Sequence, residues 1–158
     1  MNNVDIIWQD MPEAAWKPAA EAFVRLILAH LQYDNWDIAV VFCFDPFIRQ
    51  LNKTYRNIDA PTDVLSFEQG DEYDDAGGQR RFSAGDIIIS LDSLKTNAEN
   101  FNVAVDEELK RLLIHGILHL SGMDHSDNSP EQEMLQLQEK ILGIYSTEAV
   151  IRNRYGDI

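Results

Sequence analysis

The segment that most restricts the fold is Leu112-Leu113-Ile114-His115-Gly116-Ile117-Leu118-His119-Leu120, apolar almost all round and broken only by two histidines and a glycine. A helix with apolar residues on every face belongs inside a fold, so this one is expected to be central, with other elements laid over it. Positions four apart share a helix face, so His115 and His119 present their imidazoles together. Gly122 stands where a left-handed residue can end the helix and turn the chain, and His125 follows three residues later. Imidazoles clustered beside an apolar helix are costly without a common partner, and a metal ion is such a partner. The site is then expected at the edge of the buried helix. Three neutral nitrogen ligands leave one tetrahedral position open, the arrangement of a catalytic rather than a structural zinc. Zinc is the default ion, but nickel, copper or iron also suit nitrogen ligands, and spacing does not separate them.

The same histidine spacing occurs in metzincin proteases, whose motif has a glutamate directly after the first histidine. Here that position is Gly116, so peptide hydrolysis lacks its usual base. Asp124 reads equally as a hydrogen-bond partner for a ligand imidazole or as a turn residue.

With 158 residues, 45% of them hydrophobic, the chain is expected to form one domain over 1–158. Its longest apolar run, 38–44, is far short of the roughly 20 residues that span a bilayer, and no basic segment precedes an apolar one at the start. A soluble, non-exported protein without a membrane partner is expected. Cys43, the only cysteine, lies in that run and reads as a packing residue in a reducing compartment. Acidic residues outnumber basic ones 27 to 13, for a net charge of -14, which argues against coating nucleic acid through bulk electrostatics. A metal with neutral ligands and a few arginines can still hold a phosphate locally.

Hydrophobic spacing predicts strands over 3–9, 37–44, 64–67 and 86–91, the second of them buried on both sides. A helix is predicted from Pro18, with Trp16, Ala20, Phe23, Ile27 and Leu31 on its buried face. A second has Asp45 as N-cap and Pro46 as first residue, with Phe47, Ile48, Leu51 and Tyr55 facing inward. The acidic, glycine-containing stretch 68–78 reads as an exposed loop or irregular hairpin. A short helix over 91–100 precedes the central one, which Asp106 opens with Glu107 and Glu108 at its positive end. Ser129, Pro130 and Gln132 form a capping-box start for a last helix carrying Met134, Leu135, Leu137, Ile141 and Leu142 and stopped by Gly143. The tail 146–158 is weakly patterned. These lengths predict an α+β fold, a small mixed four-stranded sheet packed with about five helices.

Arg49, Lys53 and Arg56 are four and then three residues apart, a basic stripe on the second helix, and Arg56 leads into a turn containing Pro61 that feeds a strand. Four motifs then follow one another: Leu51-Asn52-Lys53-Thr54-Tyr55-Arg56, Pro61-Thr62-Asp63-Val64-Leu65-Ser66-Phe67, Gly85-Asp86-Ile87-Ile88-Ile89-Ser90, and the segment from His115 to His125. In this order they resemble the YbeY family of endoribonucleases, over roughly 37–143. The resemblance implies an α+β fold and a zinc ion held by His115, His119 and His125. It implies a cytoplasmic enzyme that cleaves single-stranded RNA, with rRNA and ribosomal particles as partners, acting at the 3′ end of small-subunit rRNA and in ribosome quality control. The family's functional arginine falls on Arg56, as a catalytic residue contacting RNA phosphate or the charge that develops on it.

Two features depart from the family pattern. Phe67 is followed by Glu68 and an acidic stretch rather than by proline, and 146–158 extends past the usual end with no assigned role. Two other classes of function stand beside the nuclease: a metallopeptidase or other hydrolase using Glu68 or Asp86 as base, and a non-catalytic ribosome-assembly protein in which the metal holds the fold.

Overall fold

The computed structural model describes residues 1–125, 127 and 132–152. Its order is β1 (Asn3–Trp8), α1 (Lys17–His30), β2 (Trp36–Cys43), α2 (Asp45–Arg56), β3 (Val64–Asp74), β4 (Arg80–Ser90), α3 (Leu91–Phe101), α4 (Val105–Leu120) and α5 (Glu133–Ile144). The strands form one mixed sheet in the order β1-β2-β4-β3. β1 and β2 are parallel and joined by α1, β2 and β4 are parallel, and β3 returns antiparallel on β4 as an edge strand. The expected α+β architecture of four strands and five helices is what forms among the described residues. None of its helices is long and apolar enough to cross a membrane.

Strand alternation divides the core. Ile38, Val40, Phe42, Ile87 and Ile89 join the main cluster with α1, α3, α4 and α5, while Cys43, Leu65 and Ile88 meet Ile48 of α2 in a smaller one. β2 is thus fully buried on the main face and about half-buried on the other, where Asp37, Ala39 and Val41 lie. Helix α4 is central as its composition demands: Leu109, Leu113, Ile114 and Ile117 are wholly buried, each side chain worth about 1.5–3 kcal/mol. A Cβ at Gly116 would lie 2.7 Å from Ile87 side-chain carbons, so this glycine lets α4 approach the sheet. Where β4 pairs with β3, Gly85 (φ +130) lets the β3 backbone come close, because a Cβ there would lie 2.0 Å from the Phe67 carbonyl oxygen.

Several local expectations are corrected. Asp45 lies in the first turn of α2 and is not its cap; its carboxylate accepts from the Ser90 and Ser93 hydroxyls at 2.5 and 2.7 Å, tying α2 to the start of α3. Tyr55 is 62% exposed, and the inward position belongs instead to Asn52, whose amide donates to the Ala60 carbonyl at 2.9 Å. The acidic stretch takes the hairpin alternative: β3 runs on to Asp74 against β4, with a register shift between Glu68 and Asp71. Gly143 does not stop α5, which continues to Ile144. Of the capping box, Ser129 and Pro130 lie outside the described residues, and Gln132 makes no side-chain cap. In the tail, Val150 and Ile151 are buried and donate their backbone N–H groups to Asp106 Oδ1, both at 2.7 Å.

Candidate metal centre and the cleft beside it

The end of α4 and the edge strand β3 enclose a cavity of about 740 Å³, lined by Arg56, 64–68, His115, His119 and 122–124. Helix α4 ends as expected. Gly122 takes φ +101, the Met123 N–H returns to the Leu118 carbonyl at 3.1 Å, and His125 is carried back to the other two rings. One ring nitrogen from each of His115, His119 and His125 lies within 4.8 Å of the others, so the three could hold a metal ion.

The ring nitrogens facing away from the cluster are fixed by acceptors. His119 Nδ1 meets the Met123 carbonyl at 3.1 Å and His125 Nδ1 the Asp127 carbonyl at 2.8 Å. A carbonyl only accepts, so each Nδ1 must donate and each Nε2 keeps its lone pair. His115 Nδ1 faces Gln138 Oε1 at 2.6 Å, and its Nε2 faces His119 Nε2 at 3.0 Å. With the His115 proton on Nδ1 the two Nε2 lone pairs would face each other at a distance that suits one shared cation, since tetrahedral zinc with nitrogen bonds of 2.0–2.1 Å sets its ligands about 3.3 Å apart. The donor set therefore fits zinc. Burial, with the neighbouring histidines adding to it, lowers the pKa of His115 and of His119 below the ordinary 6.5, so both rings are neutral and ready to donate at pH 7.

Across the cavity, Asn57 ends α2 in the left-handed conformation and Asn52 anchors the turn behind it. Arg56 therefore leaves the helix toward β3, where Nη2 donates to the Ser66 carbonyl at 3.1 Å and the guanidinium lies 5.2 Å from the Phe67 ring centroid. Of the basic stripe, only Arg56 lines the cavity. Arg49 is paired with Asp59 at 2.8 Å on the surface, and Lys53 is exposed. Ser66 Oγ is buried and has no hydrogen-bond partner among the described residues.

Asp124 resolves mainly as a turn residue. Its carboxylate accepts from the His125 backbone N–H at 2.8 Å and stands 4.0 Å from His119 Nδ1, beyond hydrogen-bond range. Glu68 lines the cavity, whereas Asp86 is not among the lining residues. Position 116 points at the sheet, so its glycine answers a packing need as well as lacking the protease carboxylate. Sequence reasoning missed Gln138, which sits on α5 within an ordinary amphipathic pattern. A polar residue at a buried helix position, 6% exposed, is the signal that could have found it.

Fold and site together define a class: small α+β proteins with a three-histidine centre at the end of a buried helix and an arginine across a cleft from it. The family model described as Endoribonuclease YbeY matches residues 3–146, and the chain belongs to that family. The endoribonuclease YbeY of Treponema denticola is 58% identical over 152 residues, covering 96% of this chain and 98% of the relative. That of Treponema pallidum strain Nichols is 55% identical over 90% of this chain and 89% of its own length, and that of Borreliella afzelii is 43% identical over 76% and 80%. A solution structure of a Thermotoga maritima protein superimposes with a TM-score of 0.56 at 26% identity, covering 93% of this chain and 91% of that one.

Proposed function

We propose that the protein is a zinc-dependent endoribonuclease that cleaves single-stranded RNA, with His115, His119 and His125 as metal ligands and Arg56 as the catalytic residue for phosphate. The observation that carries this reading is one open cavity lined by Arg56, His115 and His119, with His125 clustered beside the two histidines. Kinship with proteins named endoribonucleases supports RNA as the substrate. A bound zinc ion supplies a Lewis acid and a water of lowered pKa. Arg56 spends one N–H on Ser66 and rests its face on Phe67, and among the described residues its other donors have no partner, which suits them to take two phosphate oxygens and to follow the charge that builds on them. His119 and His125 donate from Nδ1 to backbone carbonyls, which turns those protons away from the reacting centre.

Within this reading the chain is one hydrolase domain over 1–158. It acts in the cytoplasm on rRNA within ribosomal particles, at the 3′ end of small-subunit rRNA and in ribosome quality control. The acidic arm of β3 beyond Glu68 stays paired with the arm of β4 that carries Arg80 and Arg81, which leaves the cavity to the RNA.

The test is incubation of single-stranded RNA with the purified protein, before and after chelation and with zinc restored. Cleavage should disappear and return, and Arg56→Ala should depress it. Cleavage indifferent to both treatments overturns the site. Mapping the product ends distinguishes attack by water from attack by the RNA 2′-hydroxyl.

A further inference from the structure

His119 and His125 are fixed by backbone carbonyls, but His115 sits inside α4, where the nearby carbonyls serve the helix, and its outer nitrogen is met by a side chain instead. That side chain is an amide, with a donor at one end and an acceptor at the other, so a flip would reverse what it offers to the imidazole. What sets its direction lies further back. Glu108 is 2% exposed and takes Arg111 Nη1 at 2.7 Å, which anchors the guanidinium within α4. Arg111 then donates from Nε and Nη2 to the Glu139 carboxylate at 3.0 and 3.1 Å. Glu139 Oε2 also accepts from Gln138 Nε2 at 3.1 Å.

The donor and acceptor inventory makes each link follow from the one before. A guanidinium only donates, so Glu139 faces it as a carboxylate. A carboxylate only accepts, so the nitrogen end of Gln138 must turn to Glu139. The oxygen end then faces His115 Nδ1, which must carry the proton, and Nε2 is left bare toward His119.

We propose that Gln138 is a positioning residue, and that the line from Arg111 through Glu139 to Gln138 holds His115 in the one tautomer that can bind a metal. The proposal rests on the metal-centre reading above. It gives the line a role beyond joining α5 to α4. Glu139→Gln changes one atom, yet it should invert the relay: its amide oxygen goes to Arg111, its NH2 meets Gln138, and Gln138 turns its own NH2 toward His115.

The test uses the full chain and two readouts. One is the imidazole nitrogen spectrum of the metal-free protein, which reports each tautomer. The other is zinc affinity by competition with a chromophoric chelator. In the parent protein His115 should be protonated at Nδ1. In Glu139→Gln its proton should shift toward Nε2 and zinc affinity should fall about tenfold, and in Gln138→Leu affinity should fall about ten- to a hundredfold. His119 and His125 should keep their tautomers in both. An unchanged His115 tautomer with zinc affinity within about twofold of the parent in both variants overturns the proposal. Should Gln138→Leu fail to fold, Glu139→Gln, at a half-exposed side chain, decides it alone. A parent protein that binds no zinc overturns the metal-centre reading, while the tautomer comparison still decides the relay.

Discussion

The two walls of the cleft are held in different ways. On the α4 wall each imidazole has an acceptor behind it, two of them backbone carbonyls and one an amide placed by a carboxylate and an arginine. On the opposite wall Arg56 is exposed and held by one carbonyl and the face of a ring. A metal needs nitrogens fixed to a fraction of an ångström, whereas a flexible RNA strand is met better by a guanidinium that can follow it. One wall sets geometry, and the other adapts.

Substitutions should separate the walls. His119→Ala should have the largest effect, a loss of zinc affinity well beyond the roughly hundredfold that a partner behind a ligand contributes, with cleavage lost alongside, read by elemental analysis and an RNA assay. Arg56→Ala should lower cleavage about 10²–10³-fold and leave zinc affinity within about twofold of the parent. If Arg56→Ala also strips the zinc, the walls are not independent. Gly116→Ala probes what lies beneath the rigid wall. Its Cβ would press on Ile87 at 2.7 Å, so urea denaturation should show a loss of about 1–3 kcal/mol.

The smallest effect should come from the far end of the sheet. Burial would raise the pKa of Asp37, but hydrogen bonds from Tyr73, Arg81 and Asn3 outweigh it and hold the carboxyl below its ordinary 3.8. With the folded value under the unfolded one, its stabilising contribution is complete above about pH 4 and lost as pH falls through the folded pKa. Asp37→Asn should flatten that part of the acid transition in urea midpoints and leave zinc stoichiometry at pH 7 unchanged.

What could be read from the chain alone follows the reach of each interaction. The helix carrying His115 and His119, and the turn at Gly122, depend on neighbours in sequence, so periodicity and glycine chemistry expose them. The placement of Arg56 across from them depends on β3 pairing with β4 and on Asn52 binding the Ala60 carbonyl, contacts that no spacing encodes. Asp45 looked like a cap because its type and position suit one, yet two serines from another part of the chain claim its carboxylate. Gln138 interrupts the buried face of its helix, but the reason lies with His115, 23 residues away, where spacing does not reach. For 68–78 the chain left loop and hairpin both open, because charged residues mask the extended pairing that backbone hydrogen bonds supply and that carries β3 to Asp74 and β4 back to Arg80.

The buried thiol has a practical consequence. Cys43 is wholly buried beside Ile48, Leu65 and Ile88, and burial, with Asp45 adding to it, pushes its pKa up to about 12. At neutral pH it is neither a thiolate nor within reach of a reagent. A cysteine placed at exposed Tyr55, beside Phe67 and the arginine wall, would therefore take a maleimide dye alone, giving a single-label reporter on the rim of the cleft without first removing the native thiol.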